Sequence, residues 1–236
     1  MKNLIISTAA LALTAGMAMA DTVRLGTEGA YPPYNFINDS GEVDGFEREL
    51  GDELCKRAEL PCEWVTNEWD SIIPNLLSGN YDAIIAGMSI TAERKEVVNF
   101  SQGYTRPSPS AYAALSADVD LKGGVVSAQA STIQSSHVAS SGATLVEFPS
   151  PDETVAAVQS GEVDAVMADK DFLLPIVQET ELEFVGDDVF LGDGIGMAFR
   201  QSDDELRGKF DAAIASMKAD GSLNALLDKW EIEGKF

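Results

Sequence analysis

Ser78-Gly-Asn-Tyr-Asp-Ala-Ile-Ile-Ala-Gly-Met88 returns 82 residues later as Ser160-Gly-Glu-Val-Asp-Ala-Val-Met-Ala-Asp-Lys170, with Ser, Gly, Asp and two Ala matching in register. Each copy reads as the end of a helix followed by a buried strand. Gly79 and Gly161 stand where a helix C-terminus takes the left-handed conformation that glycine tolerates, and the runs 82–86 and 164–168 are apolar and of strand length. Either the Ala-rich composition has matched by chance, or one helix-to-strand unit is built twice in two similar lobes. In the second case ligands bind beyond the strand C-termini. Those ends are Gly87 with Ser89 in one copy and Asp169 in the other.

The flanking sequence alternates strands with helices. Residues 22–27 alternate like a strand, Tyr31-Pro32-Pro33-Tyr34 reads as an extended loop, and 45–58 form an amphipathic helix with Phe46, Leu50 and Leu54 on one face. A strand at 62–66 follows, then a helix capped by Asp70 and running to Leu77 with Pro74 in its first turn. Beyond the repeat, Thr105-Arg106-Pro107-Ser108-Pro109-Ser110 suits neither helix nor interior strand and reads as a crossover between lobes. The second lobe offers a strand at 124–128, a helix opened by Ser131-Thr132 and a strand at 144–148. Ser150-Pro151-Asp152-Glu153 is a capping box with proline at the first helical position, which predicts a helix over 151–160. A helix near 171–179 comes after the second repeat strand. Gly192-Asp-Gly-Ile-Gly196 lacks the following helix that a phosphate cradle needs and reads as a hinge turn before a strand at 197–200. Helices near 203–220 and 222–230 then pack back on the first lobe. The pattern predicts an α/β fold, each lobe a mixed, mainly parallel sheet flanked by helices.

Residues 1–20 carry Lys2, an apolar stretch and Ala18-Met19-Ala20, the pattern of a secretory signal cleaved after Ala20. Export suits the cysteines. Only Cys55 and Cys62 are present, and a close even pair in an exported chain reads as a disulfide rather than a zinc site, which would want ligands that a single His cannot supply. The chain has 39 acidic and 16 basic residues for a net charge of −23, and losing Lys2 with the signal makes it −24. Nucleic acid and anionic membrane surfaces are poor partners for such a molecule. Its acidity either solvates the surface or steers cationic ligands.

A few residues could carry chemistry. Arg94 lies three residues after Thr91, a natural N-cap, and a cation in a first helical turn opposes the helix dipole. Either a ligand carboxylate or phosphate resolves that conflict, or a local acid such as Glu93 or Glu96 does. Ser131 and Thr132 could supply hydroxyls and free amides to the same anion. Asp169, at a strand end, is a partner for an ammonium or a cap for the next helix. Tyr31, Tyr34 and Trp69 lie in loops where a ring could stack on a ligand, and Glu28 ends the first strand. Catalysis finds little support, because His137 has no evident partner, no Ser sits in G-x-S-x-G, and carboxylate pairs mean little in so acidic a chain.

Taken together, T-E-G-A-Y-P-P-Y-N-F from Thr27, A-G-M-S-I-T-A-E-R from Ala86, Q-A-S-T from Gln129 and D-A-V-M-A-D from Asp164 make the mature chain resemble the periplasmic amino-acid-binding proteins of ABC importers. It looks similar to the lysine/arginine/ornithine- and histidine-binding branch, which shares the C-K-R-x-x-x-x-C segment with its cysteines bridged. The resemblance implies a type II two-lobed binding protein with two hinge crossovers, near 105–110 and 190–196. Lobe 1 would then comprise 21–108 plus 192–236 and lobe 2 would comprise 109–191. It implies that Arg94 grips the ligand carboxylate with help near Ser89 and at Ser131 and Thr132. Asp169, Ser89 and the Gly87 carbonyl would hold the α-ammonium, Tyr31 and Trp69 would sandwich the side chain, and Glu28 would meet a distal cation. The implied partner is an inner-membrane permease, with no cofactor, no metal and a single copy of the chain. Ala86, Gly87 and Ile133 depart from the branch, which tends to carry two serines and a Gln there. A basic amino acid leads, with an opine, a modified or a neutral amino acid as alternatives. Dehydratases of prephenate-like acids share the fold and supply the enzymatic alternative, and a sensory module a third.

Overall fold

The computed structural model describes residues 21–236; the leader read over 1–20 and its cleavage after Ala20 lie outside them. Its elements run β1 (Val23–Thr27), β2 (Ala30–Tyr31), β3 (Asn35–Ile37), β4 (Val43–Asp44), α1 (Phe46–Arg57), β5 (Cys62–Thr66), α2 (Ile72–Leu77), β6 (Ala83–Ile84) and β7 (Val98–Phe100). They continue with β8 (Pro109–Ala114), β9 (Val125–Gln129), α3 (Ile133–Ser141), β10 (Thr144–Phe148), α4 (Pro151–Gln159), β11 (Ala165–Asp169), α5 (Lys170–Glu179), β12 (Glu183–Phe190), β13 (Ala198–Arg200), α6 (Asp204–Asp220) and α7 (Ser222–Lys229).

Two five-stranded sheets result, ordered β5-β1-β6-β13-β7 and β10-β9-β11-β8-β12, beside a small antiparallel sheet β2-β3-β4. The large sheets follow one plan. β1 is parallel to β5 and β6 as β9 is parallel to β10 and β11, and the fourth strand of each sheet is antiparallel to both neighbours. That fourth strand arrives by a crossover: β8 enters the second sheet after β7 of the first, and β13 enters the first after β12 of the second.

The quoted repeat sits at the centre of both sheets, as β6 and β11. Ala83 pairs with Leu25 and Ala165 with Val126, so equivalent residues occupy equivalent registers. The invariant pieces of the repeat do the same work twice. Gly79 (φ 81°) and Gly161 (φ 74°) end α2 and α4. Gly79 N–H donates to Leu76 O and Asn80 N–H to Asn75 O, both at 3.0 Å, while Gly161 N–H donates to Val158 O at 3.0 Å and Glu162 N–H to Ala157 O at 2.9 Å. These are paired Schellman closures. Asp82 and Asp164 then clasp the neighbouring strand: Arg24 N–H donates to Asp82 Oδ2 at 3.0 Å and Val125 N–H to Asp164 Oδ2 at 2.7 Å.

Helices cover the sheets by their apolar faces. Phe46, Leu50 and Leu54 of α1 are fully buried, in one core cluster with Phe199 and with Phe210, Ile214, Leu223 and Leu227 of the terminal helices, which therefore return to the first lobe. Cys55 in α1 and Cys62 at the start of β5 are disulfide-bonded, with Cα atoms 6.3 Å apart. A loop so short contributes roughly 2–3 kcal/mol on the chain-entropy model. Ser150 Oγ accepts from Glu153 N–H and the Glu153 carboxylate returns to Ser150 N–H, completing the capping box of α4.

Some local expectations fail for identifiable reasons. Pro109 and Ser110 belong to β8, an interior strand, since proline at a strand's first residue removes no essential ladder bond. The helix expected from Asp70 opens as a 3-10 turn, Trp69–Ser71, and Asp70 caps nothing. Tyr31 to Tyr34 is a turn rather than an extended loop, because β2 reverses directly into β3 with Tyr31 opposite Asn35. β6 is two residues long; Ile85 N–H still reaches Gly26 O at 2.9 Å, and then Gly87 (φ 61°) turns the chain away.

Candidate functional site

The ends of the parallel strands converge between the lobes. Glu28 follows β1, Gly87 follows β6, Gln129 ends β9 and Asp169 ends β11, and all four line one cavity. Tyr31, Trp69, Ser89, Arg94 and Thr132 complete most of its wall. Of the nine site residues that the resemblance implies, eight line it, and Ser131 does not.

Asp169 resolves its two readings by geometry. It occupies the N-cap position of α5 but its side chain makes no capping bond. Its carboxylate points into the cavity instead, accepting Tyr31 O–H on Oδ2 at 2.9 Å and Gln134 Nε2–H on Oδ1 at 2.9 Å, with Ser110 Oγ at 3.4 Å. Burial pushes its carboxyl up from the ordinary 3.8 to about 6, against the pull of the Tyr31 hydrogen bond and the Arg94 charge.

Arg94 also chooses. No α-helix follows Thr91, because β7 begins at Val98 and only a 3-10 turn, Arg94–Glu96, fits between. Thr91 Oγ1 nonetheless accepts Arg94 N–H at 3.1 Å. The guanidinium donates to the carbonyls of Ser89 at 2.9 Å and Ser131 at 3.3 Å, rather than to Glu93 or Glu96, and lies over the Trp69 ring at 5.3 Å. Burial lowers its pKa to about 10, so it stays cationic at neutral pH. A cation and an anion thus face one small cavity without an ion pair between them, a costly arrangement that a complementary ligand relieves.

Ser131 (φ 60°) is exposed and acts through its carbonyl, which Trp69 Nε1–H also reaches at 3.3 Å. The Thr132 hydroxyl caps α3 by accepting Ser135 N–H at 3.1 Å and donates to Gln129 O at 2.7 Å. Tyr31 stacks on Phe172 at 4.5 Å between ring centres, with the planes 5° apart, which fixes one wall. Tyr34 leaves the cavity altogether. It is fully buried, and its hydroxyl donates to Asp171 Oδ2 at 2.9 Å. His137 lies outside the cavity, 6.5 Å from the Tyr112 ring centre.

Glu28 closes the far end. Its Oε1 accepts Gln129 Nε2–H at 2.6 Å, and burial raises its carboxyl from the ordinary 4.5 to about 7.

Behind the cavity lies Glu47, which sequence reading passed over. It is fully buried, and accepts Gly87 N–H at 2.6 Å and Asn35 Nδ2–H at 2.7 Å, with Tyr104 O–H on the same oxygen as Gly87. Asn35 Oδ1 in turn accepts Gly29 N–H at 2.7 Å, tying the Glu28 loop into the same network. An acid at helical spacing with Leu50 and Leu54 was the available signal. Gln134 was equally silent, and Gln129 entered only as the first letter of the Q-A-S-T motif, with no role of its own.

Comparison with known proteins agrees with this architecture. The family model described as bacterial extracellular solute-binding proteins, family 3, matches residues 23–233. The L-arginine-binding protein of Pseudomonas aeruginosa is 35% identical over 226 residues, covering 88% of this chain and 87% of its own. The histidine-binding periplasmic protein of Escherichia coli is 31% identical over 253 residues, covering 98% and 97%. Among solved structures, a periplasmic His/Glu/Gln/Arg/opine family-binding protein from Silicibacter pomeroyi in complex with lysine is 69% identical, with a TM-score of 0.88 over 89% of this chain and 96% of that one. These relatives are binding proteins and not enzymes, and the two sheets with their crossovers match the type II periplasmic binding fold. The chain belongs to the bacterial extracellular solute-binding proteins of family 3.

Proposed function

We propose that this protein captures a basic amino acid, with lysine and arginine foremost, in the cleft between its lobes and delivers it to an ABC permease from the periplasm. The observation that carries the reading is the charge pattern of one cavity: cationic Arg94, anionic Asp169 and a second, separate carboxylate on Glu28. Arg94 takes the α-carboxylate with Ser89 and Thr132 beside it, and Asp169 takes the α-ammonium. Tyr31 and Trp69 flank the aliphatic stem, and Glu28 receives the distal cation. The lobes, 21–108 with 192–236 and 109–191, close because the ligand bonds both only when the cleft is shut, so its binding energy favours the closed form.

Lysine in the related Silicibacter pomeroyi protein and arginine in the name of the Pseudomonas aeruginosa relative support this class of ligand. A second reading, an opine or a modified or neutral amino acid, rests on Ala86, Gly87 and Ile133, which line the cavity without offering a side-chain hydrogen bond to a polar tail.

A thermal-shift screen of amino acids and opines tests both readings. A true ligand adds about 2.7 kcal/mol of stability at a concentration of 100 times its Kd. Lysine, arginine or ornithine is expected to give the largest shifts; a larger response to opines or neutral amino acids transfers the assignment to the second reading, and silence from every amino compound refutes both.

A further inference from the structure

Gln129 is the last residue of β9 in the second lobe, and its amide crosses the cleft to Glu28 in the first. The amide nitrogen donates to Glu28 Oε1 at 2.6 Å and to the carbonyl oxygen of Pro149 at 3.1 Å. The Pro149 carbonyl and the ionised Glu28 carboxylate only accept, so only the NH2 end of the amide can face them, and both of its hydrogens are committed. Its orientation is therefore set. The residue is only 7% exposed and shares the cavity with the half-buried Glu28, so little bulk solvent competes for the pair. Burial raises the Glu28 carboxyl most, the charges of Glu68, Asp70 and Asp152 act in the same direction, and the Gln129 bond opposes them.

We infer that Gln129 is a specificity-determining positioning residue, which reaches from the second lobe to hold the Glu28 carboxylate at the point where a cationic ligand tail ends. Preference for a charged over a neutral tail then depends on an amide that need not touch the ligand. The bond spans both lobes, so the carboxylate is fixed in place as the cleft closes and not before. This inference rests on the role given to Glu28 in the proposed function.

The test compares lysine with norleucine, its uncharged analogue, by calorimetric titration of the full chain and of two variants. Gln129→Met, close in volume and unable to donate, is expected to weaken lysine about tenfold, the loss of a hydrogen bond to a charged group. Norleucine is expected to change little. Lysine affinity in the variant is also expected to begin falling at a higher pH than in the parent, because Glu28 loses the bond that opposes its protonation. A side chain that merely supported the fold would weaken both ligands alike and leave the pH profile in place, and that result overturns the inference. Glu28→Gln separates the two claims. If it leaves the lysine preference intact, or if the parent binds no amino acid with a cationic tail, the functional reading fails and this inference falls with it. If it abolishes the preference while Gln129→Met alters neither the preference nor the pH profile, the inference alone fails. Melting of each variant without ligand, expected near the parent's temperature, shows that folded protein is being compared.

Discussion

At the scale of single residues, the informative signals were a violated local rule and a choice between two roles. Arg94 looked misplaced in a first turn, Asp169 could equally cap a helix or meet an ammonium, and each declines the local partner that would have made it ordinary. Tyr34 had no such conflict to betray it, and it went into the core to meet Asp171. Glu47, Gln129 and Gln134 were illegible because their roles depend on partners 40, 101 and 35 residues away, which only the fold brings near. The sharpest residue-scale prediction concerns Asp169. Asp169→Asn keeps the size of the side chain and its bond from Tyr31, but removes the charge that an α-ammonium requires. Amino-acid affinity is expected to fall about thirtyfold or more, as truncating one partner of a buried charge pair costs about 2–5 kcal/mol. The ligand-free melting temperature should hold or rise, because a buried carboxylate held near pKa 6 is itself a burden at neutral pH. Retained affinity in a calorimetric titration contradicts the assignment.

At the scale of elements, the repeat was legible because each of its matched residues has a local job. Gly79 and Gly161 close helices, and Asp82 and Asp164 clasp a backbone amide near the start of the adjoining strand, so the pattern survives in sequence wherever the unit is built. Elements that failed to read are those whose form is set by their neighbours. β8 begins with Pro109 yet lies inside a sheet, and the turn after Thr91 was cut short by the start of β7. The two aspartates differ in their further ties. Asp164 holds the Val125 amide, whereas Asp82 holds the Arg24 amide and also bridges Arg24 at 3.0 Å and Arg200 at 3.1 Å. Asp164→Ala is therefore expected to cost about 1 kcal/mol, and Asp82→Ala about 2–3 kcal/mol because it also removes the carboxylate that two partly buried guanidinium groups share. Chemical denaturation measures both. Equal losses would mean that the arginine cluster adds nothing beyond the shared clasp.

At the scale of the whole molecule, the cleft makes stability and ligand binding respond oppositely to pH. Burial lifts Asp169 from 3.8 to about 6 and Glu28 from 4.5 to about 7. Between those limits the folded protein binds more protons than the unfolded chain, so these two groups raise stability as pH falls from about 7 towards the unfolded carboxyl values, and lower it as pH rises. The excess of 39 acidic over 16 basic residues acts in the same direction, since protonation relieves self-repulsion. A bound basic amino acid reverses the sign for the two cleft carboxylates, because its ammonium groups pair with their ionised forms. Binding at pH 6–7 should then release protons, and affinity should fall by up to about tenfold per pH unit for each carboxylate as pH drops through its range. The difference in melting temperature between lysine-saturated and ligand-free protein is consequently expected to widen steadily from pH 5 to pH 8, even as the ligand-free curve itself declines. That difference isolates the cleft from the surface, because surface repulsion is common to both samples. A constant difference across the range would mean that neither carboxylate meets the ligand's charge.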